Sequence, residues 1–428
     1  MSVYVLVATL VCILNAAIAY DWTPVDRLMA AFIANQTFPG TAIVVIDPSG
    51  DVVLSRGYGN LTYGEPAPFG ADAPVDPDVT LFDMASLTKI LGGTTLSALL
   101  FQSGLLPPLS TPLADARLLG PAFAAAGKQG VTLHHLLTHS AGFPPDPVPG
   151  YWESPFGCPA SSQPQPPQDF DCSERILAAV LAQPLATSPG TAMVYSDLSL
   201  ITLAFALGKL VREAALLPPG SLRPDCASAG ADRPGLSALC SFEAAVRVLI
   251  FDPLNMTQSG FLPPLANWPR AAPTWRDDDY RHATLQGAVS DENAYASGGV
   301  SGHAGIFATG VDAGSFLGAW GWGRAGLLNA TTVATFTTVV DPSFSSRALG
   351  WDTQSALDTY RGCGAMSDAT YTHTGYTGTQ LCVDPVNKIA TVQLASRGYP
   401  NKTAHFAEMQ QARQALNTAV LNVIQSAT

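Results

Sequence analysis

Apolar and polar positions along the 428-residue chain follow a strand-like pattern near both ends and a helix-like one between them. Behind Thr23-Pro24, which reads as an N-cap with proline at the first helical position, Leu28, Met29, Phe32 and Ile33 recur at helical spacing. Thr41 to Ile46 and Val52 to Arg56, divided by Asp47-Pro-Ser-Gly50, predict a strand, a turn and a strand. The proline- and glycine-rich stretch from Tyr63 to Asp78 reads as a loop, leading to a buried helix that opens at Asp83-Met-Ala-Ser-Leu-Thr-Lys89. From Leu105 to about Ala294 helical patterns lie at 133–137, 174–181, 198–211 and 242–251, broken by loops that carry proline and cysteine. Past Gly298, β-prone runs return at 348–351, 371–374, 378–383 and 389–394, and Thr403 to Ile424 closes as a long helix. Strands at both ends with helices between predict an α/β fold of the α+β type. An antiparallel sheet flanked by helices takes residues 20–108 and 296–428, with an all-helical lobe inserted over 109–295.

Charged residues are 13% and apolar residues 47%, which describes a well-buried globular chain rather than a disordered one. A net charge of -12 argues against nucleic acid or an anionic membrane as partner. Val3 to Ile18 are almost continuously apolar and Ala17-Ile-Ala19 offers small residues, so 1–19 reads as a signal peptide cut before Tyr20. Its first residues carry no Lys or Arg, which leaves an uncleaved anchor as the other reading. Among later stretches Leu198 to Leu207 reads as the longest apolar one, short of the ~20 residues that span a membrane.

Without Cys12 the cysteines form an even set of three sequence-local pairs, Cys158–Cys172, Cys226–Cys240 and Cys363–Cys382; locality selects one of 15 connectivities. Sequons at Asn35, Asn60, Asn255, Asn329 and Asn401 fit a secreted or lumenal glycoprotein. The excursion Pro144 to Asp171 is read as a surface loop, with a lid over the site as its functional alternative.

Ser86 and Lys89 lie three apart, on one face of a helix, so amine and hydroxyl can meet. Burial by Ile90, Leu91, Leu96, Leu99, Leu100 and Phe101 is expected to lower the lysine's hold on its proton and make it a base. Downstream follow Tyr195-Ser-Asp197 and His373-Thr-Gly375. With Pro39-Gly-Thr41, Leu81 to Lys89, Thr132 to Pro144, Asp291 to Tyr295, Gly299 to Phe307 and His373 to Gly378, the chain resembles the serine β-lactamase and penicillin-binding-protein superfamily. The likeness is greatest to its class C β-lactamase-related branch, peptidase family S12, with D-aminopeptidases, carboxypeptidases and esterases.

That resemblance implies a serine hydrolase working through an acyl-enzyme. Ser86 is the nucleophile, Lys89 assists its deprotonation, Tyr195 carries a proton toward the leaving group, and the backbone N–H groups of Ser86 and Tyr376 hold the oxyanion. His373 joins the catalytic set, and Asp197, Thr374 and Gly375 the substrate-binding set. No metal or organic cofactor is required, and the partner is a small ester or peptide amide. Asp197 stands where many β-lactamases have Asn, and His373 where they have Lys. Both weaken the grip on a substrate carboxylate and favour esterase or peptidase over β-lactamase. Asp197 also reads as an N-cap of the helix beginning near Leu198. Two rival functions stand beside this one: a catalytically retired binding scaffold, and a true β-lactamase or D-Ala-D-Ala carboxypeptidase.

His135 and His139 are four apart, but no His-Glu-x-x-His accompanies them, so metal is not supported. His139 belongs, by the resemblance, to a structural corner beneath the site. His303 reads as turn packing that borders the cleft, and Asp277-Asp-Asp279 as a solvated loop.

Overall fold

A computed structural model describes residues 19–160, 164–168, 172–358 and 360–427. The expected leader through Ile18, with Cys12, lies outside the described residues, as does part of the excursion before Cys172. The chain runs through α1 (Thr23–Ala34), β1 (Gly40–Ile46), β2 (Val52–Gly59), β3 (Phe82–Asp83), α2 (Thr95–Gln102), α3 (Leu133–Leu137), α4 (Ser173–Ala182), α5 (Asp197–Glu213) and α6 (Pro234–Val246). It continues with β4 (Gly260–Phe261), β5 (Arg276–Asp277), β6 (Ala283–Thr284), α7 (Glu292–Ala296), β7 (Ile306–Ala308), α8 (Gly310–Trp322) and α9 (Ala330–Thr337). Four strands and a helix finish it: β8 (Asp352–Thr353), β9 (Tyr371–Thr374), β10 (Gln380–Asp384), β11 (Ile389–Ala395) and α10 (Phe406–Ala427).

The main sheet is antiparallel, in the order β2-β1-β11-β10-β9-β8. The C-terminal strands return to the N-terminal hairpin, with Thr41 opposite Ala395 and Ile46 opposite Ala390. Every residue of β1 is buried. Side chains alternate across a strand, so Ile43 and Val45 enter one core with Met29, Leu416 and Val420 of α1 and α10. Ala42, Val44 and Ile46 enter the other, with Phe316 and Trp320 of α8. This is the antiparallel sheet flanked by helices that the chain pattern predicts.

Local boundaries differ where tertiary packing intervenes. The N-cap of α1 is Trp22, one residue before the expected Thr23. The β-prone run at 348–351 is a turn, and the edge strand begins at Asp352. The segment of Ser86 is not one α-helix: a single tight turn, Ala85–Leu87, leads to a wide turn, Lys89–Thr94, before α2. A second sheet, β3-β7-β4, supports that turn and had no signal in the chain pattern.

Among the described residues one helical run, Pro234 to Phe251, meets the length and composition of a membrane span, against the expectation that no stretch after the leader is long enough; 18 residues long, it is 78% buried inside the protein. Asp277 is no solvated loop residue. It is buried and pairs with Arg281 at 2.5 Å, while Asp278 and Asp279 are exposed. All three cysteine pairs expected from locality are disulfides, which suits an oxidising compartment.

Candidate active site

Ser86 is presented by strain and by hydrogen bonds. Ala85, just before it, adopts φ +46°, a conformation that costs an L-residue about 1 kcal/mol and survives only where neighbours enforce it. The enforcement comes from Asp83, whose buried carboxylate accepts from Ala85 N at 2.8 Å and Ser290 N at 2.7 Å. From the other side, Thr377 Oγ1 donates to Asp83 O at 2.8 Å and Thr379 Oγ1 to Met84 O at 3.2 Å. The turn after β9 is thus fastened to the segment that carries the serine. Gly375 is required at that contact, because a Cβ there would lie 2.1 Å from Thr379 Oγ1 and 2.7 Å from Met84 O.

Lys89 is fully buried beneath the serine. Its Nζ donates to Ser86 Oγ at 2.7 Å, lies 2.7 Å from Asp197 Oδ1 and reaches His303 O at 3.4 Å. Burial alone would release its proton, as the sequence suggested. The negative charge of Asp197 and the adjoining Tyr195 outweigh it and hold the amine above its ordinary value, so Lys89 rests as an ammonium. Asp197 is the first residue of α5 rather than its cap; Ser196 occupies the cap position, and the Asp197 carboxylate is turned to Lys89.

Tyr195 is surrounded by nitrogen-bearing side chains. Lys89 Nζ lies 4.8 Å from its ring centre and the Arg347 guanidinium 5.2 Å. The His139 ring lies 4.6 Å away, and that of His373 6.1 Å. His139, in a left-handed turn, accepts from Ser196 N through Nδ1 at 3.1 Å, and so fixes the backbone next to Tyr195. His373 sits on β9 with Nδ1 3.0 Å from Thr374 O and no partner for Nε2. Burial, with Arg347 and Lys89 facing His373, pushes its imidazole well below the ordinary histidine value. The partly charged imidazole expected near neutral pH is therefore a neutral one.

Ser86, Tyr195, Arg347, His373, Thr374, Gly375 and Tyr376 line one cleft of about 360 Å³. The residues singled out in the sequence meet around it, with Lys89 buried behind Ser86 and the half-buried Asp197 paired to it. Sequence reasoning missed Arg347 and Asp146. Pro144 O and Pro145 O accept from Ser196 Oγ and Asp197 N at 2.7 Å each, which seats the start of the excursion beside the site. Solvent reaches Asp146, yet partial burial and the charges of Asp197 and Asp291 push its carboxyl up to about 6. His303 is buried as expected, but it is more than packing: Nε2 meets Asp291 Oδ1 at 2.8 Å and Nδ1 meets Ser301 Oγ at 2.9 Å. Asp197, Asp291 and His303 bring potential metal-ligand atoms within 4.8 Å of one another. The Lys89 ammonium is already the cation beside Asp197. His135 serves α3, exchanging capping bonds with Thr132 at 3.3 Å.

The chain matches the family description Beta-lactamase over residues 25–215 and 235–416. It belongs to the beta-lactamase family. A provisionally named D-alanyl-D-alanine carboxypeptidase of Escherichia coli K12 is 30% identical over 346 residues, covering 74% of this chain and 69% of that protein. A Salmonella agona protein of the same provisional name is 28% identical over 404 residues, 89% of this chain and 84% of its own. Among solved structures, simvastatin synthase (LovD) from Aspergillus terreus superposes with a TM-score of 0.64 at 19% identity, over 94% of this chain and 98% of that one. EstCE1, a hydrolase with promiscuous acyltransferase activity, gives 0.63 at 18% identity, over 92% and 97%. At such identities these two structures show the shared fold. The beta-lactamase-family chain is thus of the hydrolase type, with an antiparallel sheet and a serine, a lysine and a tyrosine at one cleft.

Proposed function

We propose that this protein is a secreted serine hydrolase that forms an acyl-enzyme on Ser86 and cleaves small esters or peptide amides. The observation that carries this reading is the contact of Lys89 Nζ with Ser86 Oγ at 2.7 Å, in a cleft also lined by Tyr195. In acylation the bond from Ser86 Oγ to the carbonyl carbon forms and the bond to the leaving group breaks. The hydroxyl proton of Ser86 ends on the leaving group, relayed through Lys89 and Tyr195, which finish as they began. The backbone N–H groups of Ser86 and Tyr376 receive the oxyanion, and water then releases the acyl group. The carboxypeptidase names of the relatives support a peptide amide, and the acyltransferase activity named for EstCE1 supports transfer of an acyl group. Export through a cleaved leader, with glycans at the exposed Asn35, Asn255, Asn329 and Asn401, fits the three disulfides. Asn60, the fifth sequon, already donates to Asp72 at 2.9 Å.

Intact-mass analysis after a fluorophosphonate probe, with peptide mapping, tests this. An adduct on Ser86, absent in Ser86→Ala and after denaturation, is the expected result. A folded protein without adduct points to the retired scaffold. Turnover of a chromogenic cephalosporin as fast as that of a good ester favours the β-lactamase or carboxypeptidase reading.

A further inference from the structure

Two arginines of the cleft direct their charge at backbone carbonyls and not at a carboxylate. Arg413 of α10 is 8% exposed and lines the same cleft as Ser86. Its Nη2 donates to Gly375 O at 2.9 Å and to Thr379 O at 3.0 Å, joining the two ends of the turn that fastens the serine segment. Arg397 Nε donates to Tyr376 O at 2.9 Å, and its Nη1 to Lys402 O at 3.1 Å and Ala404 O at 2.5 Å. Among the described residues neither guanidinium has a carboxylate partner, whereas Arg347, the third arginine of the cleft, pairs with Asp352 at 3.0 Å. An arginine keeps its charge inside a protein, so each sets a fixed positive charge against the carbonyls it holds.

The two arginines hold different peptide units. Gly375 O and the N–H of Tyr376 belong to one planar trans amide, in which C=O and N–H point in opposite directions. Tyr376 O belongs to the next amide, whose N–H is that of Thr377. A cation on an amide oxygen draws electron density from the nitrogen and makes the N–H a stronger donor, as hydrogen bonds in a chain polarise one another. Gly375 O also accepts from Gly378 N at 3.1 Å, so two donors fix this amide at its oxygen end. Among the described residues the N–H of Tyr376 has no acceptor, and Tyr376 lines the cleft.

We infer that Arg413 is a positioning residue of the oxyanion hole, fixing the Gly375–Tyr376 amide by its carbonyl and strengthening the Tyr376 N–H that receives the oxyanion. The inference rests on the hydrolase reading, in which that N–H has this task. Arg413 moves no proton. It acts through a hydrogen bond that tightens as negative charge develops on the substrate oxygen, and so serves the transition state more than the bound ester. Arg397, on the neighbouring amide, supports the turn without acting on this donor. Sulfur accepts hydrogen bonds weakly, so a thiono ester gains little from the donor while needing the same serine, lysine and leaving group. Loosening of the turn slows both esters alike.

The experiment measures kcat and KM for the full chain and for Arg413→Gln, Arg413→Lys and Arg397→Gln, on p-nitrophenyl acetate and its thiono analogue, with fluorophosphonate labelling of the unaltered protein alongside. Arg413→Gln is expected to lower kcat on the oxygen ester about 10-fold, a part of the roughly 100-fold or more that loss of a whole oxyanion donor costs. KM stays unchanged and the thiono ester slows less, so the ratio of oxygen-ester to thiono-ester rates falls. Arg413→Lys, which keeps the charge, recovers part of that ratio, and Arg397→Gln keeps it whatever its overall rate. Equal losses on the two esters in Arg413→Gln overturn the proposal. An equal fall of the ratio in Arg397→Gln also overturns it, because the shape of the turn would then be the cause. If Arg413→Gln does not fold, Gln410→Glu reads the same quantity. Gln410 is exposed, lies one helical turn before Arg413 and lines the cleft with it, so a carboxylate there shares the Arg413 charge. The ratio then falls about twofold, the effect of one such helical pair, and an unchanged ratio overturns the proposal. Failure of the unaltered protein to label at Ser86 rejects the hydrolase reading itself, whereas labelling with an unmoved ratio rejects the role of Arg413 alone.

Discussion

The Asp197 carboxylate lies 2.7 Å from the ammonium of Lys89, a lysine with no solvent exposure. Removing one partner of such a pair leaves the other charge buried and alone, which costs about 3 kcal/mol. Asp197→Asn is expected to lower unfolding stability by about that amount in a denaturant titration. It also frees Lys89 to give up its proton at lower pH, so labelling of Ser86 should reach its plateau at lower pH than in the unaltered protein. The sign of the linkage is set by the raised lysine. The pair's contribution is complete below the unfolded lysine value of about 10.4 and is lost only as pH rises through the higher folded one. Neutral buffers should therefore show no change in stability from this pair.

Activity around pH 6 should report Asp146, not His373. The Asp146 carboxyl is pushed up to about 6 by partial burial and by Asp197 and Asp291, and its ionisation there adds negative charge next to Asp197, the partner of Lys89. His373, held far below the ordinary range, stays neutral throughout. A kcat/KM profile from pH 4.5 to 8 is expected to bend near 6, to lose that bend in Asp146→Asn, and to keep it in His373→Gln.

The contact at Gly375 predicts a stability effect with a functional consequence. In Gly375→Ala the new methyl must displace Thr379 or the backbone at Met84, and overpacking of this kind costs about 1–3 kcal/mol. Because the same contact fastens the segment of Ser86, labelling should slow more than the fall in melting temperature alone accounts for. Labelling at the unaltered rate in a folded variant would show the fastening to be unnecessary.

Cys363–Cys382 ties the approach to β9 onto β10, across 19 residues of sequence. Replacing both cysteines with alanine is expected to cost about 3 kcal/mol in the chain-entropy picture, read as a lower midpoint in guanidinium.

Much of this arrangement was legible in the chain because it rests on short-range pattern. The short β-prone runs Thr41 to Ile46 and Ile389 to Leu394 mark strands, which the fold buries on both faces, and the spacing of Ser86 and Lys89 brings their side chains together whether the turn is tight or wide. Charge states were not legible. The expectation of a deprotonated Lys89 considered its apolar neighbours and lacked the distance to Asp197, a residue 108 positions away. Arg347 escaped notice for a related reason: no motif surrounds it, and only the fold lays it across the ring of Tyr195. Asp277 looked solvated beside Asp278 and Asp279 until Arg281 closed on it.

The pairing of Thr41 with Ala395 also bears on how the molecule is made. During synthesis the N-terminal hairpin emerges long before the strand that completes its sheet, and contacts so distant in sequence form slowly. The Ser86 segment waits as well, since its fastening by Thr377 and Thr379 comes from late residues. A ribosome-bound chain that stops short of Thr377 therefore carries its serine on a turn that these two threonines do not yet hold, and the enzyme should remain inert until nearly all of it has been translated.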